Sequence, residues 1–254
     1  QMTGSNLTLT WAQLEPYKNK PDYARIDAWV AVEKSRGHKW VLRIDVHQNR
    51  GARSLPGWAP KLSLTLANGA KVDVPDYKHP ALISNLAEFV KLIGARYDAD
   101  PDLMLVQIGL GLYGETHPER NDDQGQLASQ IALQLTGCQW IEWCKRAIDA
   151  YVGAFPTTEL VIMNAPAFPF GCRATTTPFA TSYPREVVDQ YALSVGVGAQ
   201  NNSLDMWDAG WYTADVQGSQ GTKTVYGSVE PFQERGRMLA MERGSWLAPF
   251  PTMV

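Results

Sequence analysis

The residues best suited to chemistry stand at the end of one stretch, Leu103-Met-Leu-Val-Gln-Ile-Gly-Leu-Gly-Leu-Tyr-Gly-Glu-Thr-His117. It opens as a continuous apolar run, the pattern of a strand buried on both faces of a parallel sheet. It then breaks into glycines and reaches the carboxylate of Glu115, with His117 two residues on. A core strand that stops at a Gly-flanked acid is how a (β/α) barrel presents a catalytic group at the C-terminal rim of its strands. The plainer alternative is a strand end with a solvated glutamate. His117 either orients Glu115 or is itself solvated.

A second constellation is the alternating row Arg43, Asp45, His47. Residues two apart on a strand point the same way, so inside a barrel His47 would contact a ligand at the rim with Asp45 and Arg43 paired beneath it. A metal reading of Asp45 and His47 is a weak alternative, because the chain has only four histidines and a His-rich centre is hard to assemble. Asn164, at the end of another apolar run, is a candidate hydroxyl ligand. Trp11, Trp58, Tyr113, Trp207 and Trp211 are candidate stacking rings, each weighed against ordinary packing. Asp208 is either a ligand or a turn cap.

The elements that must position these groups read as alternating strands and helices. Leu7–Pro16 reads as strand 1, Pro21–Gly37 as a helix and Lys39–His47 as strand 2, a βαβ unit. Leu62–Leu66 and Lys71–Val74 flank Asn68-Gly69, a hairpin signal, and are taken as an insertion after strand 2, with strand 3 short. His79–Asp98 is an amphipathic helix. The stretch opening at Leu103 is counted as strand 4, Gln124–Phe155 as one or two helices broken near Gly137, and Glu159–Pro166 as strand 5. Residues 166–183 form a rim loop and Pro184–Val195 a helix. Leu204–Tyr212 is strand 6, Lys223–Pro231 strand 7 ending on Glu230, and Phe232–Gly244 a helix. Only residues 245–254 remain for strand 8, so that region is short. The fold expected is α/β, a single (β/α)8 TIM barrel over residues 1–254.

Composition agrees with that size. The 254 residues carry 44% hydrophobic side chains and a net charge of −3. There is no basic run to bind nucleic acid and no apolar run near the ~20 residues of a membrane helix. The chain starts at Gln1, so it is expected to be a processed or trimmed product. Three cysteines, 138, 144 and 172, give neither a disulfide framework nor a zinc pattern. Buried free thiols are the expectation, with a bridge from Cys172 to Cys138 or Cys144 as the alternative.

Several phrases resemble the clan-A glycoside hydrolase barrels, β-galactosidase-like and related bacterial members. Trp11-Ala-Gln-Leu-Glu-Pro16, followed by Asp22-Tyr-Ala-Arg-Ile-Asp27 and Gly37, is similar to their opening strand and helix. Leu55-Pro-Gly-Trp58 is similar to a Pro-x-Trp after strand 2, and Ile108–His117 to their strand-4 ends. The resemblance implies a retaining β-glycoside hydrolase of poly- or oligosaccharides, with an acid/base Glu at the end of strand 4 and a nucleophile Glu at the end of strand 7. These positions are met by Glu115 and Glu230. Tyr212 or Tyr226 would orient the nucleophile. Such a reaction needs no metal and no cofactor, and the protein is expected to be extracellular or periplasmic. Two departures stand out: Gly114 replaces the Asn that usually precedes the strand-4 Glu, and strand 8 is thin. They favour the rival reading of a non-catalytic carbohydrate-binding barrel; a metal-assisted hydrolase built on Asp45 and His47 is a third.

Overall fold

The computed structural model describes residues 4–48, 54–66, 68–119, 127, 130–131, 133–164, 183–201, 213–218, 221–226 and 239–241. The main sheet is parallel and runs β1 (Gly4–Thr10), β2 (Lys39–Asp45), β5 (Leu103–Ile108), β6 (Glu159–Asn164), β7 (Gly198–Asn201), β10 (Leu239–Met241), in that order. β3 (Lys61–Thr65) and β4 (Lys71–Pro75) form a separate antiparallel pair, as do β8 (Thr213–Gly218) and β9 (Gly221–Tyr226). The helices are α1 (Trp11–Leu14), α2 (Ala24–Ser35), α3 (Pro80–Tyr97), α4 (Gly137–Ala154) and α5 (Tyr183–Ser194). Parallel strands joined through helices are the arrangement from which (β/α) barrels are built, and the fold class of the chain is α/β.

Local chemistry explains where the helices begin. Thr10 and Thr136 accept from the backbone N–H of Gln13 and Gln139, whose side chains accept in return from the two cap N–H groups, the reciprocal arrangement of a capping box. His79 caps α3 through Nδ1, with Pro80 next, where a missing N–H costs nothing.

The two faces of the sheet differ in chemistry because strand side chains alternate. Trp40, Leu42, Ile44, Val106, Ile108, Leu160, Ile162 and Ala199 join the core beneath the helices. The alternating set points to the other side and is mixed, with Arg43 and Asp45 on β2, Gln107 on β5 and Gln200 on β7 beside the apolar Leu105, Val161 and Met163. Gln107 accepts from Asn6 at 3.3 Å and donates to Gln200.

Two helices approach closely at Gly94. A Cβ built there would lie 2.1 Å from the Ala154 carbonyl oxygen. Gly94→Ala therefore trades about 1 kcal/mol of better helix propensity against overpacking of about 1–3 kcal/mol or more with a backbone atom that cannot rotate away. The expected result is a lower Tm by calorimetry.

The structure corrects several sequence expectations. Trp11–Leu14 is a capped helical turn rather than the end of strand 1. The hairpin β3–β4 satisfies its hydrogen bonds within itself and takes no place in the main sheet. β5 therefore pairs directly with β2, through Trp40↔Leu103 and Arg43↔Gln107, and is third in the sheet, not fourth. β6 is fourth. β9 covers only the first part of the expected strand 7, residues 223–226, and pairs antiparallel with β8, not with a main-sheet strand. β10 lies within the expected helix 232–244, where pairing with the edge of β7 overrides local propensity. β7 itself, Gly-Ala-Gln-Asn, carries no apolar run that would reveal it. The expected strand 6 and residues 245–254 lie outside the described residues.

Cys138 is disulfide-bonded, against the expectation of free thiols, and Cys144 is free and buried; Cys172 is outside the described residues. Burial, with a further contribution from Asp189, holds the Cys144 thiol well above its usual pKa. Cys144 is expected to react with Ellman's reagent only after unfolding, and Cys138 only after reduction, which thiol mapping by mass spectrometry checks.

Candidate functional site

The loop after β5 is pinned across the C-terminal ends of three strands. Leu112 bridges His47 beyond β2, and Glu115 bridges Met163 near the end of β6. The Tyr113 N–H donates to the His47 carbonyl at 2.9 Å, and the Thr116 N–H to the Met163 carbonyl at 3.0 Å. From outside, two indoles of α4 hold the same loop: Trp143 Nε1 donates to the Leu110 carbonyl at 2.9 Å and Trp140 Nε1 to the Thr116 carbonyl at 3.2 Å. Neither tryptophan was a sequence-predicted site residue; their spacing in an amphipathic helix marks them only as core. Glu115 thus follows the third strand yet sits beside the end of the fourth.

Glu115 is 8% exposed. Its Oε2 lies 2.7 Å from His117 Nε2, so the structure brings together the acid and the histidine that the sequence placed two residues apart. Beneath them Arg43 Nε lies 3.1 Å from Asp45 Oδ1, and Gln48 Nε2 donates to Asp45 Oδ2 at 2.8 Å. The pairing expected for Arg43 and Asp45 is present, and Asp45 is fully buried.

Gly114 has φ +80°, and a Cβ built on it would stand 3.0 Å from Asp45 Oδ1 and 3.3 Å from Met163 Sδ. Here lies the physical reason that this chain has no Asn before its Glu: the backbone passes directly over the buried aspartate. Tyr113, just before it, also has positive φ, +53°, an uncommon conformation for an aromatic residue and one that clusters at functional sites. Gly114→Ala is expected to cost about 1–2 kcal/mol from the left-handed backbone alone. The clash with Asp45 adds to it, and urea denaturation measures the sum.

His47 departs from expectation. It is 1% exposed, and Nε2 pairs with Glu119 Oε2 at 3.0 Å. Glu119 was not singled out in the sequence, since a carboxylate four residues past Glu115 has no pattern to distinguish it. The metal reading loses its donors to these partners: Asp45 faces Arg43 and His47 faces Glu119. Among the described residues no cluster of three or more His, Cys, Asp or Glu is arranged to hold a metal.

Trp11 is a correction. It is fully buried, stacked on Phe89 with ring centroids 5.8 Å apart, and its Nε1 donates to Glu15 Oε2 at 2.8 Å. A ring that fills the core under α3 cannot stack on a ligand. Trp58 is half-buried, edge-on to Trp11 at 5.6 Å, and donates to the Glu15 carbonyl at 3.3 Å. Glu15 is structural: besides the indole it accepts from the Asn19 N–H at 2.7 Å, and burial raises its pKa. The backbone of Asn164 closes β6 beside Asn201. Tyr226 ends β9 opposite Thr213. Glu230, Trp207, Asp208, Trp211 and Tyr212 lie outside the described residues.

No family model and no curated protein matches this sequence. Among solved structures, the catalytic domain of a β-amylase from Paenibacillus polymyxa is similar over 97% of this chain and 79% of that one, with TM-score 0.66 at 11% identity. That likeness shows the fold, a (β/α) barrel. A β-galactosidase from Marinomonas ef1 gives TM-score 0.49 at 12% identity over 78% of this chain, which spans 36% of its length. An endo-glycoceramidase II from Rhodococcus gives 0.44 at 15% identity over 94% of this chain and 64% of that one.

Proposed function

We propose that this protein is a retaining β-glycoside hydrolase of poly- or oligosaccharides, with Glu115 as acid/base and Glu230 as nucleophile. The observation that carries the reading is Glu115 itself: a nearly buried carboxyl at the C-terminal ends of parallel strands, 2.7 Å from the His117 imidazole, on a loop tied to β2 and β6. Sites of this fold lie at that rim.

The reaction divides as follows. Protonated Glu115 gives its proton to the glycosidic oxygen as the C1–O bond breaks, while the Glu230 carboxylate bonds to C1. Ionised Glu115 then takes a proton from water as that water's oxygen displaces Glu230 from C1. A retaining pair stands about 5–5.5 Å apart and an inverting pair about 6.5–9.5 Å apart. An imidazole against one oxygen of Glu115 orients the carboxyl and can donate to it once the proton has left. The disulfide at Cys138 supports an extracellular or periplasmic setting, where such bonds persist.

A screen of aryl β-galactosides, β-glucosides and β-mannosides, with the anomeric configuration of the first product read by NMR, tests the reading. Retained configuration is expected. Inverted product would remove Glu230 as a nucleophile, and sugar binding without turnover would favour the non-catalytic barrel.

A further inference from the structure

We propose that Glu119 is a positioning residue of this site, acting by holding His47 in a single tautomer. Its kinetic consequence rests on the glycosidase reading; its structural consequence does not. Glu119 is 1% exposed, and a glutamate is almost never that buried unless paired. Its partner is His47 Nε2, 3.0 Å from Oε2.

The loop after β5 therefore carries two carboxylate–imidazole contacts. Glu115 meets His117 of its own loop, whereas Glu119 meets a histidine on the continuation of β2. Among the described residues, backbone bridging ties the loop to His47 through Leu112 and Tyr113. The Glu119 side chain adds a second fastening near the loop's far end. Tyr77 lies close by: burial, reinforced by the charge of Glu119, keeps its hydroxyl protonated.

The chemistry of the pair is one-sided. An ionised carboxylate only accepts hydrogen bonds, so Glu119 requires a proton on His47 Nε2. The ring nitrogen that carries the proton is set by the bond the other nitrogen's side of the ring makes. Among the described residues His47 Nδ1 is buried and has no hydrogen-bond partner, so none of them competes at that end. Replacing the carboxylate by an amide of the same shape removes the constraint. Glutamine can accept from Nε2–H through its oxygen or donate to a bare Nε2 through its NH2 group, so both neutral tautomers become available.

The test is long-range 1H–15N NMR of the histidine rings. The chain has only four, and His47→Asn identifies the signal. In the wild type His47 is expected with its proton on Nε2; in Glu119→Gln the Nδ1–H form should appear. On a substrate found in the activity screen, Glu119→Gln should lower kcat by about tenfold or more through misplacement at the site, with KM changed less than kcat and Glu119→Asp restoring part of the loss.

A wild-type His47 protonated only on Nδ1 overturns the inference without any variant. So does an unchanged tautomer in Glu119→Gln, or an unchanged kcat. Where Glu119→Gln does not fold, Glu119→Asp and the wild-type spectrum decide. A wild type that hydrolyses no glycoside defeats the glycosidase reading and leaves the tautomer result to stand or fall alone.

Discussion

Glu115→Gln is expected to lower kcat on a β-glycoside by about 10²–10⁴-fold, the range for loss of general acid–base catalysis. The amide keeps the size of the carboxyl but has no acidic proton to give. Glu115 touches His117 by one oxygen, and its backbone stays fixed by the bridge to Met163, so the fold should survive and circular dichroism should be unchanged. The size of the defect should depend on the leaving group. An activated aryl leaving group departs without a proton, so its glycoside should lose much less than an unactivated disaccharide. That contrast separates a lost acid from a general disturbance of the loop: equal losses on both substrates would contradict an acid role.

The largest stability effect is expected from Asp45→Ala. Asp45 is fully buried, and its Oδ1 lies 3.1 Å from the Nε of Arg43, whose side chain is 14% exposed. Removing the aspartate leaves a guanidinium inside the sheet without its counter-charge, and breaking a buried pair from one side costs about 3–5 kcal/mol. The substitution also takes away the acceptor of Gln48 Nε2 and opens space beneath Gly114. Urea denaturation should show a lower midpoint at unchanged slope. A loss under about 1 kcal/mol, the range of exposed pairs, would mean that Arg43 reaches water or another anion. The double variant Arg43→Met with Asp45→Leu should recover much of the loss, because apolar replacement of a whole buried pair is often neutral.

Much of the local structure is legible without coordinates. The 3.6-residue period of Leu82, Leu86, Phe89, Val90 and Ile93 marks α3, and the apolar runs that open at Leu103 and Glu159 mark where β5 and β6 begin. Asn68-Gly69 marks the hairpin. All of these depend on neighbours within a turn or a strand, where side-chain period and backbone geometry agree. Glu115 and His117 are likewise visible, because a Gly-broken strand end with an acid is a local signal.

What required the tertiary structure is pairing over long separations. Residue patterns name a strand but not its neighbour, so they place β5 fourth where the self-paired hairpin leaves it third, and they place the start of β9 in the barrel where it pairs with β8. Burial misleads for the same reason. Trp11 looks like a rim aromatic until Phe89, 78 positions away in the sequence, is stacked on it. His47 looks like a ligand contact until Glu119 is found at its Nε2. The order of residues along this chain determined its longer described helices, most of its described strands and one acid at a strand end. Only the folded chain decided which strand that acid stands beside and which histidine each carboxylate meets, since hydrogen bonds and ion pairs between distant segments are set by packing rather than by sequence spacing.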